Sequence, residues 1–242
     1  MDGRIDLHCH VLPGLDDGPA ELEAAVALAR GLETLGFDVI HPTPHQKARA
    51  WAPTREEREG AADLLRQELA ASEAKIRIAP PGGENMWDEL FLSRWEDFSF
   101  PCYEGDKALL VEISPVGSPP QLLSRLFDLQ IKGRLPVLAH VERYLDLMKD
   151  DERVEQLGSK AALLVNLTTL GGQGGWRLRS RARKLTQRGL IHAAATDAHS
   201  TDDLAAAAAG IDWIRHHLGE EGVARLLVEG PKAILAGELP QW

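Results

Sequence analysis

Short apolar runs alternate with longer amphipathic segments from one end of the chain to the other. Each run is four to six residues long and is bounded by turn residues, which is the length and pattern of a buried strand. The predicted strands are Arg4–His8, Asp38–His41, Lys75–Ala79, Ala108–Ile113, Leu135–His140, Ala162–Asn166 and Leu190–Ala195.

The segments between these strands have helical periodicity. The first begins at Pro19 and ends at Gly36, and the second follows Thr54, whose hydroxyl suits a helix N-cap. Further helices are predicted at Pro119–Ile131, Asp151–Leu157, Trp176–Gln187, Asp202–Leu218, Glu220–Leu227 and Pro231–Ala236. Because strands and helices alternate, we expect parallel strands joined by crossover helices, and seven strands favour a closed barrel. The expected architecture is one α/β barrel domain over residues 1–242.

Polar side chains interrupt the pattern at one recurring place, the carboxyl end of each predicted strand. His8 and His10 lie two residues apart, so they share a strand face, and Asp197 and His199 repeat that spacing after the last strand. The residues at or just after strand ends are His8, His10, His45, Glu84, Glu112, His140, Asp197 and His199. These strand ends meet at one mouth of a barrel, where barrel active sites lie.

A single histidine at a strand end is usually a hydrogen-bonded core residue. That explanation would have to hold independently for each of the eight residues at the strand ends. It therefore does not explain why all eight occur at the same end of the barrel. Imidazole and carboxylate groups without thiolates suit Mn²⁺, Fe²⁺ or Zn²⁺. The pattern therefore predicts a divalent metal site at the mouth.

Two other kinds of chemistry carry less weight. Cys9 lies between His8 and His10 on the opposite strand face, so its thiol is expected to point into the barrel wall and not at the mouth. The glycine-rich stretch "GGQGG" at residues 171–175 has no following Lys-Ser/Thr pair, so it does not predict a nucleotide-phosphate loop.

Composition and charge indicate the cellular compartment and exclude some classes of ligand. The chain has 242 residues with only two cysteines, too few for a disulfide scaffold, and it has neither a secretory signal nor an apolar run long enough to cross a bilayer. A reducing cytoplasm and no membrane insertion are expected. The formal net charge of −10 argues against nucleic-acid binding, which calls for a basic face.

Six motifs in order, "DLHCHVLPGLDDGP", "TPH", "GGE", "VEIS", "AHVERY" and "TDAHS", resemble the polymerase-and-histidinol-phosphatase (PHP) superfamily. Two of them, "LPGLDDGP" and "AHVERY", are similar to the branch of bacterial metal-dependent protein-tyrosine phosphatases found with capsule and exopolysaccharide genes. The resemblance spans residues 5–200. It implies a distorted (β/α)₇ TIM-like barrel with three divalent metal ions at the mouth, Mn²⁺ being favoured and Fe²⁺ or Zn²⁺ possible.

Carried over position by position, the family pattern implies nine metal ligands. The first ion would take His8, His10, Glu84 and Asp197; the second Glu84, Glu112 and His140; and the third Asp17, His45 and His199. Only the second aspartate of "LDDGP" aligns with a family ligand. Asp16 is therefore interpreted as a hydrogen-bonding loop residue.

Arg143 in "AHVERY" matches the arginine that family members use on phosphate, and Arg143, Asp197 and His199 are the predicted catalytic residues. A salt bridge from Arg143 to Glu142 or Asp146 is the structural alternative. The last family motif is commonly followed by an arginine, whereas this chain continues with Asp202 and Asp203. Arg177 and Arg179, near the same mouth, are the predicted substitutes in substrate binding; a solvated helix face is the other interpretation.

The resemblance implies hydrolysis of phosphotyrosine by a metal-activated hydroxide. The substrate would be a phosphotyrosine-containing protein, such as the tail of a bacterial tyrosine kinase that regulates capsule or exopolysaccharide synthesis. Three divalent ions would leave the pocket positively charged in spite of its carboxylates, which favours a phosphomonoester dianion. A phosphatase for histidinol phosphate or another small phosphomonoester is an alternative, and so is a non-catalytic barrel that binds a phosphoprotein. The sequence does not indicate an oligomeric state.

Overall fold

The computed structural model describes residues 3–115, 117–146 and 150–241. Within those residues, all the strand pairs are parallel, as the alternation of strands and helices predicts. The strands are β1 Arg4–Cys9, β2 Phe37–Pro42, β3 His45–Gln46, β4 Arg77–Ile78, β5 Glu84–Met86, β6 Ala108–Glu112, β7 Leu135–Leu138, β8 Ala162–Asn166 and β9 Ala193–Ala195.

The strands form a distorted barrel. Hydrogen bonding gives the orders β1-β2-β4 and β3-β5-β6-β7-β8-β9. Strand β3 continues β2 and β5 continues β4, so the nine segments occupy seven strand positions. The ring closes between the last and first strands, where the Asp197 N–H donates to the His8 carbonyl at 2.8 Å and the His10 N–H donates to the Ala198 carbonyl at 3.0 Å. The predicted (β/α)₇ TIM-like fold is confirmed.

Helices cover the outside of the strands. They are α1 Leu22–Thr34, α2 Arg55–Ala71, α3 Glu89–Ser93, α4 Leu122–Ile131, α5 Asp151–Gly158, α6 Leu167–Gly171, α7 Trp176–Gln187, α8 Leu204–Ala224 and α9 Gly230–Leu235. Short 3₁₀ turns lie at Val141–Arg143 and Thr201–Asp203, and a π-helical turn lies at Arg225–Glu229. None of the described helices combines the length and the apolarity needed to cross a membrane.

Most predicted helix ends have a local cause in the structure. Thr54 is the N-cap of α2 in a capping box, with the Glu57 N–H donating to its hydroxyl at 3.2 Å. Gly219, with φ of 70° and ψ of −174°, breaks α8 where the sequence predicts two helices. Helices α3 and α6 were not predicted, because five residues are too few to show a helical period.

Four predicted strands are longer than the observed ones, and two of these, β6 and β7, differ only at their ends, Glu112 and Leu138. The strand predicted at Lys75–Ala79 is reduced to Arg77–Ile78, and Glu84 lies in a strand of its own, β5, rather than in a following loop. The strand predicted from Leu190 begins only at Ala193, because the Leu190 N–H still bonds back to the Leu185 carbonyl at the end of α7.

Apolar residues pack in two layers. One lies between the strands and the helices, and Cys9 packs there with Leu28 and Leu32 of α1. The other fills the interior of the barrel below the mouth and includes Leu110, Leu164 and Ile234. Because the interior is packed in this way, the polar side chains at the strand ends gather at the mouth.

Candidate metal centre

The structure brings together all nine side chains that the sequence predicts as metal ligands. Three sets offer ligand atoms within 4.8 Å of one another, namely His10, Asp17, His45 and His199; His8, His10 and Glu84; and His45, Glu84 and Glu112. The remaining two ligands contact these sets. His140 Nε2 lies 3.0 Å from Glu84 Oε1, and Asp197 Oδ1 lies 3.2 Å from His8 Nε2.

Glu84 is the centre of the cluster. Its Oε1 lies 3.3 Å from His8 Nε2, and its Oε2 lies 2.8 Å from His45 Nδ1 and 3.5 Å from His10 Nε2. Burial alone would raise the pKa of Glu84, but the neighbouring His8, His140 and His45 hold that pKa well below its usual value. The carboxylate is therefore ionised, and each of its two oxygens faces two imidazoles.

The spacing of the donor atoms fits divalent ions. Metal–ligand bonds of about 2.1 Å place neighbouring ligand atoms about 3.0–3.4 Å apart. His8 Nε2 and His10 Nε2 are 3.2 Å apart, and each also faces Asp197 Oδ1, at 3.2 and 3.5 Å. These imidazole nitrogens converge on acid groups in a buried pocket that has no thiolate. The donor set suits Mn²⁺, Fe²⁺ or Zn²⁺.

Asp197 has an uncommon backbone conformation, and its side chain contacts four neighbours. Its φ is 53°, in the left-handed region that residues other than glycine seldom adopt. Its Oδ2 accepts hydrogen bonds from Asn166 Nδ2 at 2.6 Å and from Arg143 Nη2 at 3.0 Å, while its Oδ1 faces His8 and His10. One oxygen is thus fixed by the protein and the other is left for a ligand role.

Asp16 orients His10. Its Oδ2 lies 2.7 Å from His10 Nδ1 and accepts the His45 N–H at 2.9 Å, and its Oδ1 accepts the Gly18 N–H at 3.0 Å. Burial alone would raise the pKa of Asp16, but the hydrogen bond to His10 lowers it to about 2. The carboxylate turns Nε2 of His10 towards the cluster, as metal-binding histidines usually require. Asp16 is thus a loop hydrogen-bonder, and its contact with His10 was not predicted.

Asp17 and His199 lie on the open side of the cluster. Asp17 is 46% exposed, and its Oδ1 lies 3.4 Å from Nε2 of His199, which is 29% exposed. His199 Nδ1 donates to the Asp197 carbonyl at 2.9 Å, so Nε2 is free for a ligand. Burial and the charge of His10 lower the pKa of His199, which favours the neutral imidazole that binds metals.

Asp203 lies just after "TDAHS", where the resemblance led us to expect an arginine. Its Oδ2 accepts the N–H groups of His199 at 2.9 Å and Ser200 at 3.1 Å, and it completes a capping box with Ser200. Sequence reasoning counted this aspartate as a departure from the family pattern. In the structure it fixes the backbone that carries His199.

Arg143 lies in the 3₁₀ turn after His140 and is 39% exposed on the open side. The sequence offered Glu142 or Asp146 as salt-bridge partners, whereas the structure gives Arg143 the carboxylate of Asp197. Burial alone would lower the pKa of Arg143, but Asp197 and Glu142 raise it. The guanidinium is therefore charged, anchored to a predicted ligand, and open to an entering molecule.

Arg177 and Arg179 lie outside the cluster. Arg177 is exposed at the start of α7 with its guanidinium over the Trp176 ring, and Arg179 lies against Gly172. The contact between α7 and the mouth comes from Arg181, whose Nη1 donates to the Glu142 carbonyl at 2.7 Å. The structure thus places the two predicted substrate-binding arginines beside the mouth and not in it.

The two cysteines are unsuited to nucleophilic chemistry. Cys9 is buried behind the strands, and its thiol points to the Ala198 carbonyl, 3.5 Å away. Burial raises the pKa of Cys9 well above its usual value and raises the pKa of Cys102 to about 12. A catalytic cysteine needs a lowered pKa, so the structure agrees with the expectation that the Cys9 thiol faces the wall.

Sequence reasoning missed Asn166. It is the last residue of β8 and is fully buried, and its side chain holds Asp197. The signal that pointed to Glu112, a polar residue closing an apolar strand, is also present in "ALLVN". It was overlooked because an amide is a weaker metal ligand than a carboxylate.

Comparisons with known proteins agree with this geometry. A family model described as capsular polysaccharide synthesis, CpsB/CapC, matches residues 4–236. Tyrosine-protein phosphatase YwqE of Bacillus subtilis is 30% identical over 200 residues, which cover 81% of this chain and 77% of that protein. Tyrosine-protein phosphatase CpsB of Streptococcus pneumoniae is 27% identical over 242 residues, which cover 97% of this chain and 99% of that protein.

Solved structures show the same likeness. A chain from the crystal structures of YwqE and CpsB, reported as unique metal-dependent tyrosine phosphatases, matches with a TM-score of 0.86 at 25% identity, covering 97% of this chain and 95% of that one. The phosphotriesterase homology protein of Escherichia coli matches with a TM-score of 0.55 at 12% identity, covering 97% of this chain and 99% of that one, which supports the fold alone.

Proposed function

The chain belongs to the CpsB/CapC family of capsular polysaccharide synthesis proteins, and from this premise we propose that it is a metal-dependent tyrosine-protein phosphatase. Its relatives in Bacillus subtilis and Streptococcus pneumoniae are named as tyrosine-protein phosphatases. The observation that carries the proposal is the ionised, buried Glu84 carboxylate, which faces imidazoles on both of its oxygens at the mouth of the barrel.

We propose three divalent ions, with manganese as the favoured metal. The first would be held by His8, His10, Glu84 and Asp197; the second by Glu84, Glu112 and His140; and the third by Asp17, His45 and His199. The sets of converging ligand atoms support this division, with the addition that His10 also lies within reach of the third set and His45 of the second. Bound ions would supply Lewis-acid polarisation of the phosphoryl oxygens and a water nucleophile of lowered pKa.

Arg143, Asp197 and His199 are the residues that we propose to act on the reacting group. Arg143 donates hydrogen bonds to phosphoryl oxygens from the open side, where its guanidinium is already held in place by Asp197. Asp197 and His199 line the same opening and keep their ligand atoms aimed inward. The phenolate leaving group, with a pKa of about 10, needs little help from a general acid.

The physiological substrate that we propose is a phosphotyrosine-containing tail of a bacterial tyrosine kinase that controls capsule or exopolysaccharide synthesis, met in the cytoplasm. Support comes from the family, whose description is capsular polysaccharide synthesis. Arg177 and Arg179 would bind this protein substrate outside the reacting phosphoryl group, because they lie beside the cluster and not within it.

The test is hydrolysis of a phosphotyrosyl peptide by protein that is first stripped with a chelator and then reloaded with Mn²⁺, Fe²⁺ or Zn²⁺. We expect activity only in the reloaded protein, survival of activity in Cys9→Ser and Cys102→Ser, and loss in His10→Ala and Asp197→Ala. Faster turnover of histidinol phosphate would favour a small-molecule phosphatase. Full metal occupancy without any hydrolysis would favour the phosphoprotein-binding barrel.

A further inference from the structure

Helix α7 and the residue that follows it carry an unusual concentration of positive charge. Residues 176–188 hold six of the 27 lysines and arginines of the chain and none of its 37 aspartates and glutamates. The formal net charge of the whole chain is −10, so this segment is a local reversal of sign. A reversal of this kind on an acidic protein calls for an explanation, which can lie in folding contacts or in a ligand.

Folding contacts account for half of these charges. Arg183 donates twice to the Leu170 carbonyl and lies over the Trp213 ring, and Lys184 and Arg188 are within ion-pair distance of Asp151. These three cations hold α7 against its neighbours. They need no further partner.

The other half, Arg177, Arg179 and Arg181, we call the α7 arginines. None of the three forms an ion pair with an acid among the residues that the structure describes. Arg181 donates only to a backbone carbonyl, and Arg177 lies over a tryptophan ring. Arg177 lies in the first turn of α7, where the helix dipole disfavours a positive charge, so helix stability does not explain that position.

The α7 arginines lie on the same side of the barrel as Arg143. Strand β8 ends at the mouth, where Asn166 holds Asp197, and α6 and α7 follow it, so α7 begins on the mouth side of the barrel. Arg181 donates to the carbonyl of Glu142, the residue before Arg143. A chain that presents a phosphoryl group to Arg143 therefore passes close to α7.

A carboxylate near the loop before α7, that of Asp203, does not pair with the α7 arginines. Asp203 lies close to the loop before α7, because Gln173 Nε2 donates to its Oδ1 at 2.7 Å. Its other oxygen accepts two backbone N–H groups, from His199 and Ser200. Both oxygens of Asp203 are thus occupied by hydrogen bonds to Gln173, His199 and Ser200, and among the described residues Asp203 forms no ion pair with the α7 arginines.

We propose that the α7 arginines form a docking surface for acidic residues that flank the phosphotyrosine of the protein substrate. This inference rests on the proposed function and adds a preference for sequence around the phosphotyrosine. An acidic peptide fits because these arginines carry positive charge without an acid partner among the described residues, on the side of the barrel where the reacting group binds. A membrane or a nucleic acid would need a broad basic face, and the rest of this chain is acidic.

The test compares two phosphotyrosyl peptides that differ only at the flanking positions, with Asp and Glu in one and Asn and Gln in the other. We expect the wild-type protein, loaded with metal, to favour the acidic peptide by about tenfold in kcat/KM, mostly through KM, since each exposed ion pair contributes modestly. The preference should weaken as salt is raised.

The decisive variant is Arg177→Gln/Arg179→Gln, in which the preference should fall close to one. The matched control is Arg30→Gln/Lys75→Gln, which removes two exposed charges on other elements and should keep the wild-type preference. An Arg181→Gln change alone should lower the preference less, because that side chain is partly engaged by Glu142.

Three outcomes would overturn the docking surface. The first is equal kcat/KM for the two peptides in the wild type, and the second is an undiminished preference in Arg177→Gln/Arg179→Gln. The third is binding of the wild type to anionic lipid vesicles that this variant loses, which would assign the arginines to a membrane. Equal hydrolysis of both peptides defeats only the docking surface. Failure of the metal-loaded protein to hydrolyse either peptide defeats the proposed function as well, so the two failures are distinguishable.

Discussion

The two ends of the barrel are built from the same strands and do opposite things. Leu110 and Leu164 fill the interior, and the residues two positions further along those strands, Glu112 and Asn166, reach the mouth. Side chains two apart in a strand point the same way, so one row of positions supplies both an apolar plug and a polar site. The apolar positions of that row stabilise the fold, and the polar positions at its end form the candidate site.

The residues at the mouth include features that destabilise the fold. His8 Nδ1 and His140 Nδ1 are buried without a hydrogen-bond partner among the described residues, and His140 and Asp197 have left-handed backbones. Unpaired buried polar atoms and positive φ at residues other than glycine each destabilise a fold. The plug, with Leu110, Val137 and Leu164 almost fully buried, offsets that cost by apolar burial.

The largest effect that separates the two ends should come from Glu84→Gln. The change keeps the size of the side chain and removes the charge that faces imidazoles on both sides. We expect a loss of about a thousandfold or more in phosphatase activity, with a fall in bound metal by elemental analysis and an unchanged circular dichroism spectrum. The exposed Glu96→Gln is the control and should behave like the wild type.

Leu164→Ala tests the opposite end. The side chain is fully buried in the plug, so its truncation should lower the free energy of unfolding by about 2–5 kcal/mol, measured by chemical denaturation. Metal content and kcat should stay near wild type below the lowered Tm. The matched control is Leu64→Ala on α2, where the leucine is 54% exposed and a small change is expected. A large loss of kcat in the folded variant would show that the two ends are coupled.

Arg143→Ala tests whether Arg143 binds the phosphoryl group or positions Asp197. If the guanidinium acts on the phosphoryl group, kcat/KM should fall by about a hundredfold while metal content stays unchanged. The metal content of the same variant tests the alternative role, support of the metal cluster. Because Arg143 also donates to Asp197, loss of metal in this variant would assign it to the support of the cluster and not to the substrate.

The smallest effect should be a pH dependence of stability from His192. Burial lowers its pKa to about 4, and its Nδ1 accepts the Leu163 N–H at 3.0 Å, which requires a neutral ring. The unfolded chain takes up this proton below about pH 6.5, and the folded chain does so only near pH 4. The free energy of unfolding should therefore fall, by on the order of 1–3 kcal/mol, as pH drops through that interval.

His192→Asn tests whether His192 causes the predicted fall in the free energy of unfolding at low pH. Asparagine can keep an acceptor for the Leu163 N–H but does not titrate, so the variant should lose less stability than the wild type between pH 7 and pH 4 in denaturant titrations. The same change at His216, which is exposed on α8, should leave the wild-type pH dependence in place. A variant curve parallel to that of the wild type would refute the assignment.

Local pattern was enough for most of the strands and helices and for which residues lie at the mouth. Alternation along β6 is a local property, and "ALLVE" shows a carboxylate in a row of buried positions without knowledge of any neighbour. His8 and His10 likewise lie on one face, with their Nε2 atoms 3.2 Å apart. Each of these inferences depends on residues close together in the chain.

The partners of those residues were not predictable in the same way. Leu138 packs in the outer layer, so simple alternation would turn His140 outward as well, yet its imidazole contacts Glu84 at 3.0 Å. The strand ends at Leu138, and the left-handed backbone of His140, with φ of 32°, redirects the side chain. No local pattern predicts that φ, because it is imposed by the packing around it.

The sequence by itself determined the chemistry available at the mouth, since strand periodicity and residue type decide which groups arrive there. Only the tertiary structure decided how those groups are held: Asp16 against His10, Asn166 and Arg143 on one oxygen of Asp197, and Arg181 on the turn that carries Arg143. Most of these contacts join residues that are far apart in the chain. Their geometry depends on how the barrel closes, which is a property of the whole chain and of no single segment.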